Sequence, residues 1–187
     1  MRKFSFFHHM SDTKRLVFTA MFTALGVMLS YITAHAFGPQ LGLGAIILPM
    51  HLPVLLCGLL CGPVYGFLCG VLAPSLSNLL TQMPLAYPML PIMLAELSIY
   101  GAVSGLLFKK FKLPLFIALP GAMVAGRIGY GIVFAVLFAL NPGLKALTVW
   151  AALLTGLPGI LAQIIIIPAI IRAVLPAARV KKRTFSD

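Results

Sequence analysis

Long apolar runs, separated by short segments that carry the basic residues, constrain this chain more than any other feature. Of its 187 residues, 61% are hydrophobic and only 9% are charged, a composition far from that of a soluble globular domain. A bilayer core about 30 Å thick takes roughly 20 apolar residues per helix, so the chain has room for five or six spans. The sequence therefore predicts an all-α integral membrane protein with one domain, 1–187, and no soluble catalytic domain.

Six transmembrane helices account for the apolar runs, because Gly, Pro and polar clusters interrupt the pattern five times. We predict spans at about 16–34, 49–61, 63–80, 87–108, 115–140 and 147–174. The resulting six-helix bundle, 16–174, lies between a basic N-terminal segment, 1–15, and a basic tail, 175–187. The first run continues through Tyr31 and further spans follow it, so we expect a retained helix rather than a cleaved signal peptide.

The basic residues predict the topology. They cluster before the first span, between the fourth and fifth, and after the sixth. With a cytoplasmic N-terminus, twelve of the 14 Lys and Arg residues lie inside, Lys145 lies outside, and Arg127 lies within a span. The positive-inside rule then favours six helices with both termini in the cytoplasm, and the basic balance gives no reason to expect nucleic-acid binding. The outward connections are rich in Gly, Pro and polar residues, which are typical of binding loops and of ordinary turns.

Two opposite charges fall within predicted spans. At 1.5 Å per residue, Glu96 lies about 14 Å from the outer end of the fourth helix, and Arg127 about 18 Å from the inner end of the fifth. Both positions are near the middle of the membrane, where an isolated charge is costly, so we expect the two to neutralise each other. Either they form a structural ion pair, or Arg127 binds a carboxylate of a substrate. Tyr100 and Tyr130 flank the pair and fit both interpretations.

Other polar side chains lie in or near the predicted outer half and are candidates for lining a pocket. The candidates are Asn78, Gln82, Tyr87, Asn141, Trp150 and Gln163, together with the histidines His35 and His51 near the outer ends of the first two spans. Trp and Tyr also serve as interface anchors. The two histidines can bind a ligand or cap a helix, but without acids or thiols nearby they make a poor zinc site. We therefore expect no metal and no cofactor.

Small residues recur at helical spacing. Ala20 and Ala24 form a flat strip on which another helix can approach closely, and by itself this pattern favours packing within the chain. Four glycines four residues apart flank the turn at Pro63 and predict that the second and third helices pack as a tight hairpin. These glycines are Gly58, Gly62, Gly66 and Gly70. They lack the Lys and Ser/Thr of a phosphate-binding loop. The three apolar-flanked cysteines, Cys57, Cys61 and Cys69, are expected to be packing residues.

Several segments resemble a known membrane family. They read "TKRLVFTAMFTALGVML", "LPMHLPVLLCGLLCGPVYGFLCGVLAPSLSNLLTQMP", "YPMLPIMLAELSIYGAVSGLLFKK" and "GRIGYG". These segments are similar to the substrate-binding S component of energy-coupling factor (ECF) vitamin transporters, from Thr13 to about Ile171. The resemblance implies a six-helix bundle in a bacterial plasma membrane. Such a bundle captures a vitamin-like micronutrient with its outer loops and docks to a transmembrane coupling subunit carrying two ATPases.

The resemblance also assigns roles to residues. Ala20 and Ala24 match the small-residue motif that the family uses to meet the coupling subunit. Within the family the chain looks most like the pantothenate branch, and Arg127 would suit the carboxylate of that vitamin through a bidentate contact. Cobalamin and a pyrimidine precursor of thiamine remain alternatives, and the argument for a carboxylate weakens if Glu96 fully occupies Arg127.

Two other classes of protein compete with a transport subunit. An intramembrane enzyme would need a nucleophile, a metal site or paired carboxylates at one depth, and the sequence supplies none convincingly. A passive membrane scaffold would explain the glycine packing but leaves the polar and aromatic outer loops without a purpose. The chain carries no nucleotide-binding motif, so a transporter built on it would take its energy from other subunits.

Overall fold

The computed structural model describes residues 10–36, 48–141 and 156–183, and all regular secondary structure within these ranges is helical. Its elements are α1 (Asp12–Ala36), α2 (His51–Cys61), α3 (Pro63–Thr81), α4 (Met89–Gly105), α5 (Leu115–Leu140) and α6 (Leu157–Arg183). The last turns of α4 continue as a short π-helix, Leu106–Lys110. Each of the six predicted spans thus corresponds to a described helix.

Four helices in the described ranges are long and apolar enough to cross a membrane, which makes this a multi-pass membrane protein. They are Asp12–Thr33, Pro63–Thr81, Met89–Lys110 and Leu115–Leu140. The apolar parts of α2 and α6, His51–Cys61 and Pro158–Ala173, are shorter. That all six cross the bilayer, with both ends in the cytoplasm, stays a prediction. The start of the sixth span predicted at 147 lies outside the described residues.

Helix α4 is the centre of the bundle, because it packs against α2, α3 and α5. Helix α1 lies against α2 and α3, while α6 contacts α2 and α5. The buried core falls into two clusters, one around Val54 and Leu97 and the other around Leu59, Tyr100 and Leu119. The central position of α4 places Glu96, which it carries, inside the bundle rather than towards lipid.

The glycine series makes its closest contacts with α4. A Cβ atom on Gly58 or on Gly66 would overlap the backbone carbonyl of Gly101, and a Cβ atom on Gly70 would meet the backbone of α4 one turn earlier. A Cβ atom on Gly66 would also lie 2.6 Å from the Cα of Gly58, so the hairpin contact is present as well. The prediction of a glycine-packed hairpin was therefore incomplete, since it left out α4. Gly62 has φ +114°, a left-handed value that favours glycine in the turn.

Candidate functional site

A buried polar cluster joins three helices around Glu96. The hydroxyl of Tyr100 donates a hydrogen bond of 3.0 Å to Oε1 of Glu96. Nη1 of Arg127, from α5, lies 3.3 Å from the same oxygen. Nε2 of His51, the first residue of α2, lies 3.6 Å from Oε2, within ion-pair range but too far for a hydrogen bond. The predicted approach of Glu96 and Arg127 is thus present, within a larger cluster than two residues.

Local sequence explains how these side chains reach one point. Glu96 and Tyr100 are four residues apart, so they lie on the same face of α4. The absence of a side chain at Gly126 makes room for the Tyr100 ring, which a Cβ atom there would overlap. The ring of His51 meets that of Tyr100 edge to face, with centroids 5.3 Å apart. Small and aromatic residues together therefore set the geometry of the carboxylate.

The charges of Glu96 and Arg127 are largely buried, so each needs the other as its counter-ion. The Glu96 side chain is 3% exposed and that of Arg127 is 16% exposed, and both belong to candidate membrane spans. Removing one partner of such a buried pair leaves an uncompensated charge, at a typical cost of about 3–5 kcal/mol. The ring of Tyr130, 5.8 Å from the guanidinium carbon, adds an aromatic face beside Arg127. Each of the two charges therefore depends on the other, and the pair links α4 to α5.

One edge of the Arg127 guanidinium is unused. Its Nε and Nη2 atoms are buried and have no hydrogen-bond partner among the described residues, whereas Nη1 faces Glu96. The nitrogens of the His51 ring are likewise buried without a hydrogen-bond partner. The Nε and Nη2 hydrogens point in the same direction and form the fork that binds a carboxylate through two parallel hydrogen bonds. Glu96 therefore leaves this side of the guanidinium without a partner among the described residues.

Comparison with known proteins then identifies the family. A family model described as the ECF transporter, substrate-specific component, matches residues 14–171. The chain belongs to this family. Its members are substrate-binding subunits of transporters rather than enzymes, and they work on a small molecule with coupling and ATPase partners. Comparison with curated proteins and with solved structures gives no match. The match to the S component covers the whole cluster around Glu96.

Three of the candidate pocket residues of this S component lie around the connection between α3 and α4. The side-chain amide of Asn78 donates to the backbone carbonyl of Pro84 at 2.7 Å, which holds the loop onto α3. Gln82 ends α3 in a left-handed conformation, with φ 57°, and is exposed. The hydroxyl of Tyr87 accepts a hydrogen bond of 2.7 Å from Asn141 at the end of α5. These residues shape the loop, and a role in ligand binding stays a prediction for them.

Two other candidates, Trp150 and the side chain of His35, lie outside the described residues. The contact between His51 and Glu96 was not predicted from the sequence, although His51 is the only ionisable residue of α2 besides its cysteines. The sequence also predicted Gln163 as a candidate for lining a pocket. The buried amide of Gln163 donates to the backbone carbonyl of Leu48 at 3.2 Å and so ties α6 to the segment before α2.

The alanine strip of α1 lies on the outer surface of the S component. Ala20 and Ala24 are exposed and line a groove of about 560 Å³ between α1 and α3. The groove is also lined by Thr23, Val27, Met28, Tyr31, Leu72, Leu76, Leu80 and Thr81. The face of α1 that packs inside the bundle carries Thr19, Thr23 and Gly26 instead. Among the described residues, the two alanines therefore do not pack against another helix, contrary to the expectation of packing within the chain.

The cysteines lie against this inner face of α1. The hydroxyl of Thr23 donates to the sulfur of Cys69 at 3.4 Å, and the thiol of Cys57 donates to the hydroxyl of Thr19 at 3.6 Å. All three cysteines are unpaired and buried, as packing residues are expected to be. Over residues 10–36, 48–141 and 156–183, no three His, Cys, Asp or Glu side chains are grouped as metal ligands would be.

Proposed function

We propose that this S component captures a small vitamin with a carboxylate, pantothenate in the first instance, from outside a bacterial plasma membrane. It delivers the vitamin inward together with a transmembrane coupling subunit and two ATPases. The observation that supports a carboxylate is the unused Nε and Nη2 edge of Arg127. A guanidinium edge of this kind matches a planar carboxylate in geometry and in charge.

The remainder of the cluster explains how a ligand would be bound without displacing Glu96. Glu96 is held by Tyr100 and by Nη1 of Arg127, so it fixes the guanidinium and leaves the buried Nε and Nη2 edge without a partner among the described residues. The unsatisfied ring nitrogens of His51 offer one further polar contact for a hydroxyl or amide of the ligand. Pantothenate has a carboxylate, an amide and hydroxyls, whereas a thiamine pyrimidine precursor lacks the carboxylate. The site therefore favours pantothenate over that alternative.

The test of this function separates binding from transport. The purified S component is expected to bind radiolabelled pantothenate without ATP, as measured by equilibrium dialysis in detergent. In proteoliposomes it is expected to accumulate the vitamin only when the coupling subunit and both ATPases are present and ATP is supplied. Accumulation by the S component alone would contradict the proposal, and so would binding of the pyrimidine precursor in preference to pantothenate.

We propose that the groove containing Ala20 and Ala24 receives the coupling subunit. A large side chain at Ala24 would fill the groove and block a close approach of helices, which is what drives association in lipid. Ala24→Trp is therefore expected to abolish co-purification with the coupling subunit and to leave vitamin affinity unchanged. The matched control is Ala135→Trp, at an exposed position of α5 outside the groove. Equal loss of co-purification in the two variants would argue against docking in the groove.

A further inference from the structure

A second cavity lies at the N-terminal end of α1, away from the groove that contains Ala20 and Ala24. It has a volume of about 220 Å³ and lies between the start of α1, the turn joining α2 to α3, and the end of the π-helix that follows α4. Arg15, Lys109 and Lys110 line it, together with Tyr65. Three cationic residues from two distant parts of the sequence thus converge on one small cavity.

The charge of Arg15, one of the cations that line this cavity, is only weakly compensated. Asp12 is the acid that pairs with Arg15, with its Oδ1 3.5 Å from Nη1, but the Asp12 side chain is 86% exposed. An ion pair so open to solvent contributes little, about 0–1 kcal/mol. Nε of Arg15 is buried and has no hydrogen-bond partner among the described residues. The cavity therefore has both a positive potential and an unsatisfied donor, which together favour an anion.

We propose that this cavity binds the phosphate headgroup of an anionic phospholipid. The cavity lies where the apolar spans Asp12–Thr33 and Met89–Lys110 begin and end, which is the level at which lipid phosphates are found. Basic pockets between membrane helices are suited to such headgroups. Arg15 and Lys109 would contact the phosphate oxygens through charge-assisted hydrogen bonds.

An apolar path beside the cavity favours a lipid over free phosphate. Val64, which also lines the cavity, is 66% exposed, and Phe67 and Leu68 continue along α3 as exposed apolar residues. In a membrane this strip would face hydrocarbon, so an acyl chain could lie along α3 while its headgroup occupies the cavity. A free phosphate ion would use only the basic half of this surface. The proposal does not depend on which vitamin the protein binds.

Native mass spectrometry of the intact protein tests the proposal. The protein is titrated in detergent with phosphatidylglycerol, with phosphatidylcholine, and with inorganic phosphate. We expect one phosphatidylglycerol to bind with higher affinity than phosphatidylcholine, and the double variant Arg15→Gln with Lys109→Gln to weaken that binding roughly tenfold or more. The matched control is Lys14→Gln with Lys112→Gln, which removes the same charge at exposed positions outside the cavity.

The control decides between a built site and general attraction to anionic lipid. Retention of phosphatidylglycerol by the control variant, together with its loss from the cavity variant, supports the proposal. Equal weakening in both double variants would overturn it, since attraction would then follow total charge. Binding of inorganic phosphate as tight as that of phosphatidylglycerol, and equally dependent on Arg15, would overturn the assignment to a lipid, since the acyl chains would then add no affinity. Unchanged thermal unfolding of the cavity variant establishes that it is folded.

Discussion

Arg127→Gln is expected to weaken pantothenate binding by about 100-fold or more. The substitution removes a bidentate, charge-assisted contact, and hydrogen bonds to charged groups contribute about 1.5–3 kcal/mol each, so two of them correspond to at least that factor. The measurement is equilibrium dialysis of the purified protein with labelled vitamin. A matched control is Arg172→Gln, which removes an exposed arginine of α6 that lies outside the Glu96 cluster.

A double variant separates ligand binding from structural pairing. Arg127→Gln alone leaves the buried carboxylate of Glu96 without its cation, so part of the effect could come from local unfolding. Glu96→Gln with Arg127→Gln removes both charges and is expected to restore the thermal stability of the wild type without restoring binding. If the double variant recovers vitamin affinity as well, the pair is structural only, and Arg127 does not hold the carboxylate.

Gly101→Ala is expected to destabilise the bundle severely. A Cβ atom at Gly101 would overlap the backbone of Gly66, so α3 and α4 would have to move apart where their backbones are in direct contact. Overpacking typically costs 1–3 kcal/mol, and here the obstacle is backbone rather than a flexible side chain, so we expect about 3 kcal/mol. The free energy of unfolding is measured by reversible denaturation in mixed micelles of dodecyl sulfate and a mild detergent.

The matched control is Gly131→Ala, which makes the same substitution away from any helix contact. Gly131 lies in α5, is exposed, and has no atom within 4 Å of a Cβ built on it. Gly131→Ala is therefore expected to leave the free energy of unfolding unchanged, or to raise it by up to about 1 kcal/mol through helix propensity. Similar destabilisation by the two substitutions would show that close approach at Gly101 is not what stabilises the bundle.

The two predictions concern different interfaces of α4. Its contact with α3 depends on backbone-to-backbone approach through Gly66 and Gly101, whereas its contact with α5 includes the pair of Glu96 with Arg127. The first contact has little room to adjust, because no side chain separates the helices. The second includes the Nε and Nη2 edge of Arg127, which has no hydrogen-bond partner among the described residues. A ligand bound by Arg127 as proposed would therefore act on the α4–α5 contact and not on the α3–α4 contact.

The sequence by itself determined the membrane class, the approximate positions of the helices and the pairing of Glu96 with Arg127. The thickness of the bilayer sets the length of a spanning helix, so the hydropathy of one window of about 20 residues is enough to identify it. The pairing was predictable because a charge in hydrocarbon is costly and these two residues lie at similar depth on neighbouring helices. The resemblance to S components likewise rested on contiguous segments, and the family match over 14–171 agrees with it.

Only the tertiary structure decided which helix faces meet. In lipid no hydrophobic force favours one apolar face over another, so the pattern of a span does not reveal its neighbours. For this reason the glycines of α2 and α3 gave no sign of Gly101, and His51 gave no sign of Glu96. The same holds for the unused edge of Arg127, which depends on the direction from which Glu96 approaches the guanidinium. Hydropathy and charge determine which segments enter the membrane and which charges must be paired, while close packing determines which atoms they meet.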